Sequence, residues 1–396
     1  MMQKLKENNK LKGSKKNKGL KSILKRKKAQ IRGVDFALAL LIFVIAFSQV
    51  IIVLSNLLIP SLVQMQTYSQ EQELNKLYSN IFFSEGTPSN WGTIATSSFS
   101  DFKLGTMGAS GGLDFTKINR LTNDMSSYWA ISYLNVKLGY NMIKDFAVSV
   151  YSPISVTIDE YTAVFGVINL YGQVKEYQTP IADAKIWAIA VDNHDNVVTN
   201  FTTTKDISGS ISYSATITGP NSDYFTIVVF AQVGEIYQDY KVMRIERQSS
   251  GLEYDIVDFD FRPFVWENAN PLSSAIDLSV ERDFLSDEAS AVVVFPFSDY
   301  GVDHYTVNLT QTTTAEGEIY SGTEIPVTSD GLAVVIVNER TESTFSAGYM
   351  GVPMFLDSNH GGVFSHSSFA EQQTYISKTQ LLLIRNVLLK CQIWYW

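Results

Sequence analysis

Cysteine is almost missing from this chain: Cys391 is the single one in 396 residues. One thiol excludes an internal disulfide, so any folded part must hold together by burial. Cys391 shares the apolar side of an alternating stretch with Leu389 and Ile393 and reads as a small buried hydrophobe, not a reactive thiol. Histidine is scarce too. The four present (His194, His304, His360 and His366) leave few ways to assemble a zinc site or a histidine-based triad. No Gly-x-Ser-x-Gly elbow, phosphate-binding loop or dinucleotide fingerprint occurs. Positive charge is thin beyond residue 32, where 18 basic residues face 39 acidic ones, about −21 in all.

The missing basic residues are concentrated at the start. The first 32 residues hold thirteen Lys or Arg and one acid, Glu7, for about +12. An uncharged run of nineteen residues follows, Phe36–Leu54, broken only by Ser48 and Gln49. At roughly 1.5 Å per residue a helix of about 20 residues crosses a hydrocarbon core of about 30 Å. A soluble core helix of this length would need a polar face, and this run has none. Basic residues before the run and acidic ones after it orient such a helix with its N-terminus in the cytoplasm. The expected partner is the lipid bilayer. A nucleic-acid role for the basic tail lacks any aromatic or folded context, so none is expected.

A secretory signal has a shorter apolar region followed by a small-x-small cleavage site. Here the run ends in SNLLIPS with no such site, and the alternative cut lies before it, at Arg32, Gly33 and Val34. Beyond Pro60, read as a kink or break, Leu74, Leu77, Tyr78 and Ile81 recur at helical spacing and predict an amphipathic stalk. A loop SEGTPSNWG (84–92) and a Gly-rich stretch LGTMGASGGLDF (104–115) come next. Asp114 is placed to cap a short helix TKINRL. A further helix carries Tyr128, Ile131, Leu134 and Leu138 on one face and stops at Gly139. Residues 145–158 then alternate as a strand does.

Charge, then Arg32-Gly33, then an apolar helix resembles the class III signal of archaeal type IV pilins. Such pilins commonly carry Glu at the fifth mature position, where this chain has Leu38. The succession GTPSNWG, GGLDFTKINRL and LGYNMIKDFAVSVYSP is similar to archaeal membrane-anchored, pilin-like surface proteins, over about residues 25–155. The resemblance implies cleavage after Gly33 by a prepilin-type peptidase, a mature start at Val34, and other pilin-like subunits as partners. It supplies no catalytic residues.

From about 155 onward short strands alternate with turns, as in β-sandwiches. Stretches 162–174, 180–198 and 223–233 suit one domain; 256–266, 290–297 and 331–339 suit another. The first weakly resembles immunoglobulin-like or carboxypeptidase-regulatory-like modules. The closing stretch TQLLLIRNVLLKCQIWYW is too short and charged for a second span. It predicts a hairpin turning near Arg385-Asn386 and docked in the outer domain; a terminal amphipathic helix is the competing reading. The fold class is therefore a membrane-anchored α+β protein, with one transmembrane helix and helical stalk followed by mainly antiparallel β-sandwich domains. The divisions are 1–33 (basic cytoplasmic tail or leader), 34–59 (transmembrane helix), 60–145 (helical membrane-proximal stalk), 146–248 (β-sandwich) and 249–396 (second β-rich domain).

Sites are few. Asn200 and Asn308 open two Asn-x-Thr sequons. Asp192-Asn-His-Asp-Asn196 has the oxygen density of a calcium loop but lacks the Gly and closing Glu of an EF-hand, so a β-turn is the simpler account. Asp357-Ser-Asn-His360-Gly-Gly-Val-Phe-Ser-His366 matches no zinc spacing and reads as an exposed Gly-rich loop. Asp255, Asp258 and Asp260 alternate with aromatics on the solvated face of a strand. The expectation is a non-enzymatic cell-surface protein with a pilin-like, adhesion or envelope role, no cofactor, and a carbohydrate or protein surface ligand. The alternatives are an anchored ligand-binding subunit, which needs a concave aromatic-lined pocket, and an anchored hydrolase, which needs clustered carboxylates or a Ser/His pair.

Overall fold

The computed structural model describes residues 3–94, 101–108, 111–121, 131, 133–140, 144–219, 222–249, 251, 253–257, 260–261, 264–267, 275–281, 288–296, 304–314, 317–326, 331–340, 345–357, 360, 362–365, 375–384 and 386–396. By packing, the chain divides into two units, residues 1–71 and 72–396.

The first unit is helical. Helix α1 (Gln3–Phe82) passes through it, with Pro60 inside the helix. The expected break at Pro60 is absent. Proline has no amide to give Asn56 O, and the helix continues through the loss of that one bond; on the next residue Ser61 Oγ donates to Leu57 O (2.8 Å) and Leu58 O (3.1 Å). Every large apolar side chain from Val34 to Met65 is exposed. Among the described residues one helix, Gly33–Phe82, is long and apolar enough to cross a membrane, and none of its apolar window is buried.

In the second unit α1 ends as an amphipathic helix. Leu74, Leu77, Tyr78, Ile81 and Phe82 are buried in a core shared with the β-sheets, on the face the spacing predicts. The Tyr78 hydroxyl donates to Cys391 O at 3.2 Å. Two short helices follow. In α2 (Phe115–Ile118) the Asp114 side chain accepts from Thr116 N at 3.0 Å, the cap expected of it. Helix α3 (Tyr133–Gly139) matches the end of the second predicted helix, of which residues 122–130 lie outside the described residues. Of the expected face, Ile131 is buried just before the helix and Leu134 is exposed, while Tyr133 and Val136 carry the buried side of α3; Tyr128 and the side chain of Leu138 lie outside the described residues. The glycine-rich loops close over Trp91, fully buried, whose indole N–H donates to Gly105 O at 2.8 Å.

The core is closed by a sheet of distant strands. Its order is Phe364–Ser365, Phe146–Tyr151, Val387–Tyr395, Ile376–Ile384, antiparallel throughout. The last two form the predicted hairpin, though Arg385 at its turn lies outside the described residues. Val387, Leu389, Cys391, Ile393 and Tyr395 point into the core and the residues between them do not. The hairpin docks on Phe146–Tyr151, before the sandwich strands, and not within the later β-rich part.

The sandwich pairs a sheet of Glu160–Val164, Val167–Gly172, Ser210–Thr218 and Lys205–Ile207 with one of Tyr254–Val257, Tyr237–Arg247, Tyr224–Val233, Lys185–Asp192 and Val197–Thr203. Ile168, Leu170 and Ile217 meet Ile186, Ile227, Val229 and Ile245 across the gap. The central strand Tyr224–Val233 is buried on both faces, which is why it reads as an unbroken apolar run. Its alternate residues Val228 and Phe230 join the core that holds α1, together with Val292, Val294, Val334 and Ile336 of a further, eight-stranded sheet. Packing is thus continuous across residue 248. Among the described pairings one is parallel, Asp260–Phe261 with Phe345–Val352.

Candidate functional site: an acid–histidine cleft

Two interruptions build the site. Strand Phe146–Tyr151 stops at Ser152-Pro153, because proline has no amide to give the ladder. Ser152 Oγ accepts from Ile154 N at 3.2 Å, and the chain restarts as Ile154–Val156, paired with Val174–Glu176. The second interruption is a turn in which His360 N and Gly362 N both donate to Asp357 O, at 3.3 and 2.6 Å. Gly362 sits there at φ +82°, a conformation glycine adopts without strain. Between them, strand Tyr237–Arg247 presents Asp239 from a stretch buried at three successive positions.

These segments converge on His360, buried at 6 % exposure. Its ring lies edge-on between Tyr240 and Phe355, with centroids at 4.8 and 5.1 Å. Nε2 meets Tyr240 O at 2.7 Å and Nδ1 meets Asp357 Oδ1 at 2.9 Å. A carbonyl can only accept, so Nε2 carries hydrogen, and the carboxylate opposite Nδ1 favours a second one. Asp239 Oδ1 lies 3.9 Å from Nε2, and Asp239 Oδ2 accepts from Val156 N at 2.7 Å.

The electrostatics follow from this. Burial pulls His360 toward neutrality, but the Asp357 hydrogen bond and the charges of Asp239 and Asp357 outweigh it and raise its pKa. Burial pushes the Asp239 carboxyl up to about 6, against the lowering effects of His360 and the Val156 amide. The cluster therefore holds protons more tightly than its parts would in water.

Above it opens a cleft of about 580 Å³, whose lining includes Tyr151, Tyr177, Asp159, Lys241 and Lys390. Lys390 Nζ sits 4.2 Å from the Tyr177 ring centroid and 5.9 Å from that of Tyr151. Both nitrogens of His360 are taken by Asp357 and Tyr240, so the ring is placed to hold protons and shape the cleft.

The residues picked from sequence are scattered by comparison. Gly33 and Val34 lie exposed on α1; the side chain of Arg32 lies outside the described residues. Asn200 is half-buried in strand Val197–Thr203, opposite Ala188, and Asn308 is exposed in His304–Thr314, opposite Ser290. His194 is exposed and His366 lies outside the described residues, as do Asp258 and the side chain of Asp260. Among the described residues no three His, Cys, Asp or Glu side chains gather as a metal site would require. Asp192 forms the expected turn: its carboxylate accepts from His194 N, Asn196 N, Asn196 Nδ2 and Ser222 Oγ at 2.7–2.9 Å. Burial raises the Asp192 pKa, and these four bonds together lower it below its ordinary value.

The exposed-loop reading of His360 is corrected by its burial. Asp357 and His360 are close in sequence, but Asp239 carries no motif. The signal available is an acid with apolar and aromatic neighbours in a strand otherwise headed for the core.

Fold and cleft define a β-rich α+β protein in which, among the described residues, one helix is long and apolar enough to span a membrane and an acid–histidine cleft opens beside the sheets. No family model matches the chain, and no curated protein does. Among solved structures it is similar to a tetra-tandem repeat in the extending region of a large adhesion protein, at 17 % identity and TM-score 0.20, covering 51 % of this chain and 49 % of that one. The chain thus spans about half the length of that structure. MtrC from Shewanella baltica OS185 matches at 7 % identity and TM-score 0.20, over 50 % and 69 % of the two chains. A marsupial T cell receptor matches at 9 % and 0.17, over 51 % and 95 %. At such scores these likenesses carry no argument about fold or function.

Proposed function

We propose that this is a non-enzymatic, single-pass surface protein. Its basic N-terminus is cytoplasmic and its β-sheets are displayed outside, in a pilin-like, adhesion or envelope role. The observation that supports it best is helix α1: thirteen basic residues, then an uncharged run with every large apolar side chain exposed, within a helix whose last turns are core. In water, that much exposed apolar surface would drive association; in a bilayer it is satisfied. Processing between Gly33 and Val34 would cut α1 before its apolar run, leave that run intact, remove the +12 segment, and suit assembly with like subunits.

The cleft supports a binding role within the same reading, because it is concave, has aromatic walls, and has no hydroxyl or thiol partnered to His360 among the described residues. Mass spectrometry of the protein from native membranes tests the processing, and protease shaving of intact cells tests the topology. A mature start at Val34 with the β-part cleaved from outside is expected. A β-part protected in sealed cells would overturn the reading, and an intact Met1 or Met2 would reduce it to a signal-anchored monomer or small oligomer.

A further inference from the structure

We propose that the cleft under Tyr177 binds a short, neutral oligosaccharide, an inference that rests on the surface-binding reading above. Its size falls within the usual range for small-ligand sites, roughly 300–1,000 Å³. Its charges balance closely: Lys241 and Lys390 stand against Asp159 and Asp357, above the buried pair of His360 and Asp239. A phosphate or sulfate would meet the carboxylates, and a polycation would meet the lysines. A neutral polyol meets neither repulsion, and it offers hydroxyls that both donate to carboxylates and accept from ammonium groups.

Tyr177 supplies the second argument. It occupies the tight turn between Val174–Glu176 and Thr179–Pro180 at φ +57°, where Gly or Asn is the unstrained choice. There its side chain stands 76 % exposed. Lys390 holds one face of the ring, leaving the other open to the C–H face of a sugar. Phe165 is an exposed aromatic in a similar turn, but Tyr177 differs in lining the cleft, where its ring is placed to meet a bound molecule. The elements of recognition are then a stacking ring, two ammonium donors at the rim and carboxylates below.

The full-length protein in phosphatidylcholine nanodiscs, which avoids sugar-headed detergents, is titrated with cellotriose, chitotriose, maltotriose and mannotriose by calorimetry and saturation-transfer NMR. At least one trisaccharide is expected to bind. Tyr177→Ala should weaken it by about tenfold or more, while Tyr177→Phe, which keeps the ring, should stay within about twofold. No binding by any of the four up to about 10 mM, or binding indifferent to Tyr177→Ala, overturns the proposal. Inorganic phosphate binding in the cleft in place of the sugars also overturns it. Failure here with the β-part confirmed outside removes the sugar alone; a β-part found inside removes the surface reading whatever the titrations give.

Discussion

Replacing Asp239 by Asn should change how the stability of this protein responds to pH. In the unfolded chain the carboxyl ionises near its ordinary value of 3.8, while in the fold it keeps its proton up to about 6. Between those values the folded state binds the extra proton, so stability falls as pH rises through that window and stays lower above it. The interval corresponds to a penalty on the order of 3 kcal/mol for ionising a fully buried carboxyl. His360 acts in the same direction: its folded pKa is raised above 6.5, so its contribution is complete below that value and fades as pH climbs through the folded one. The amide side chain of the Asp239→Asn variant would still accept from the Val156 amide, and would carry no charge. Urea unfolding of both forms in nanodiscs, followed by tryptophan fluorescence from about pH 4 to about pH 8, measures the difference. The variant is expected to gain on the wild type by about 3 kcal/mol across that range. Parallel pH profiles for the two proteins would refute the assignment of a proton-holding cluster.

Two further substitutions test the packing. At Gly351 an added Cβ would fall on the ring and hydroxyl of fully buried Tyr240, far inside van der Waals contact. Gly351→Ala should therefore destabilise by about 3 kcal/mol, read as a lowered urea midpoint. Phe165 and Gly166 form a two-residue loop between paired Val164 and Val167, with φ +52° and +76° and the Phe ring mostly exposed. Phe165→Asn should stabilise by about 1 kcal/mol, because Asn-Gly is the favoured pair for such a turn; a fall in thermal midpoint would count against it.

Much of the architecture could be read locally. Leu74, Leu77, Tyr78 and Ile81 recur every three or four positions because one helix face is core, and Asp114 announces a helix start because its carboxylate caps an amide. Leu389, Cys391, Ile393 and Tyr395 alternate because one face of their strand is buried. Pro60 makes no break, because a helix can lose the one amide donor that proline lacks and continue on either side of it. The cleft was the least legible part. His360 lies in a stretch whose glycines suggest exposure, and its burial depends on Tyr240, some 120 positions away. No window along the chain contains that contact. Tyr177 carried a weaker trace, an aromatic residue at a turn, which becomes informative once its positive φ is known.

The pairing of Phe146–Tyr151 with Val387–Tyr395 has a consequence in time. Tyr151 reaches Gln392 across 241 positions, and Tyr78 reaches Cys391 across 313. The helix face of Leu74 to Phe82 and the first strand beside it are therefore made long before the strand that covers them. Until residues 387–395 arrive, that apolar surface has no native cover, and loop closure over such a span is slow. A polypeptide built this way folds as a clasp and not as a string of beads: the middle can order early, but the closing stitch comes last. A ribosome-bound or translocating intermediate must stay soluble with its core open, which makes the closing hairpin the step that a holding chaperone would be waiting for.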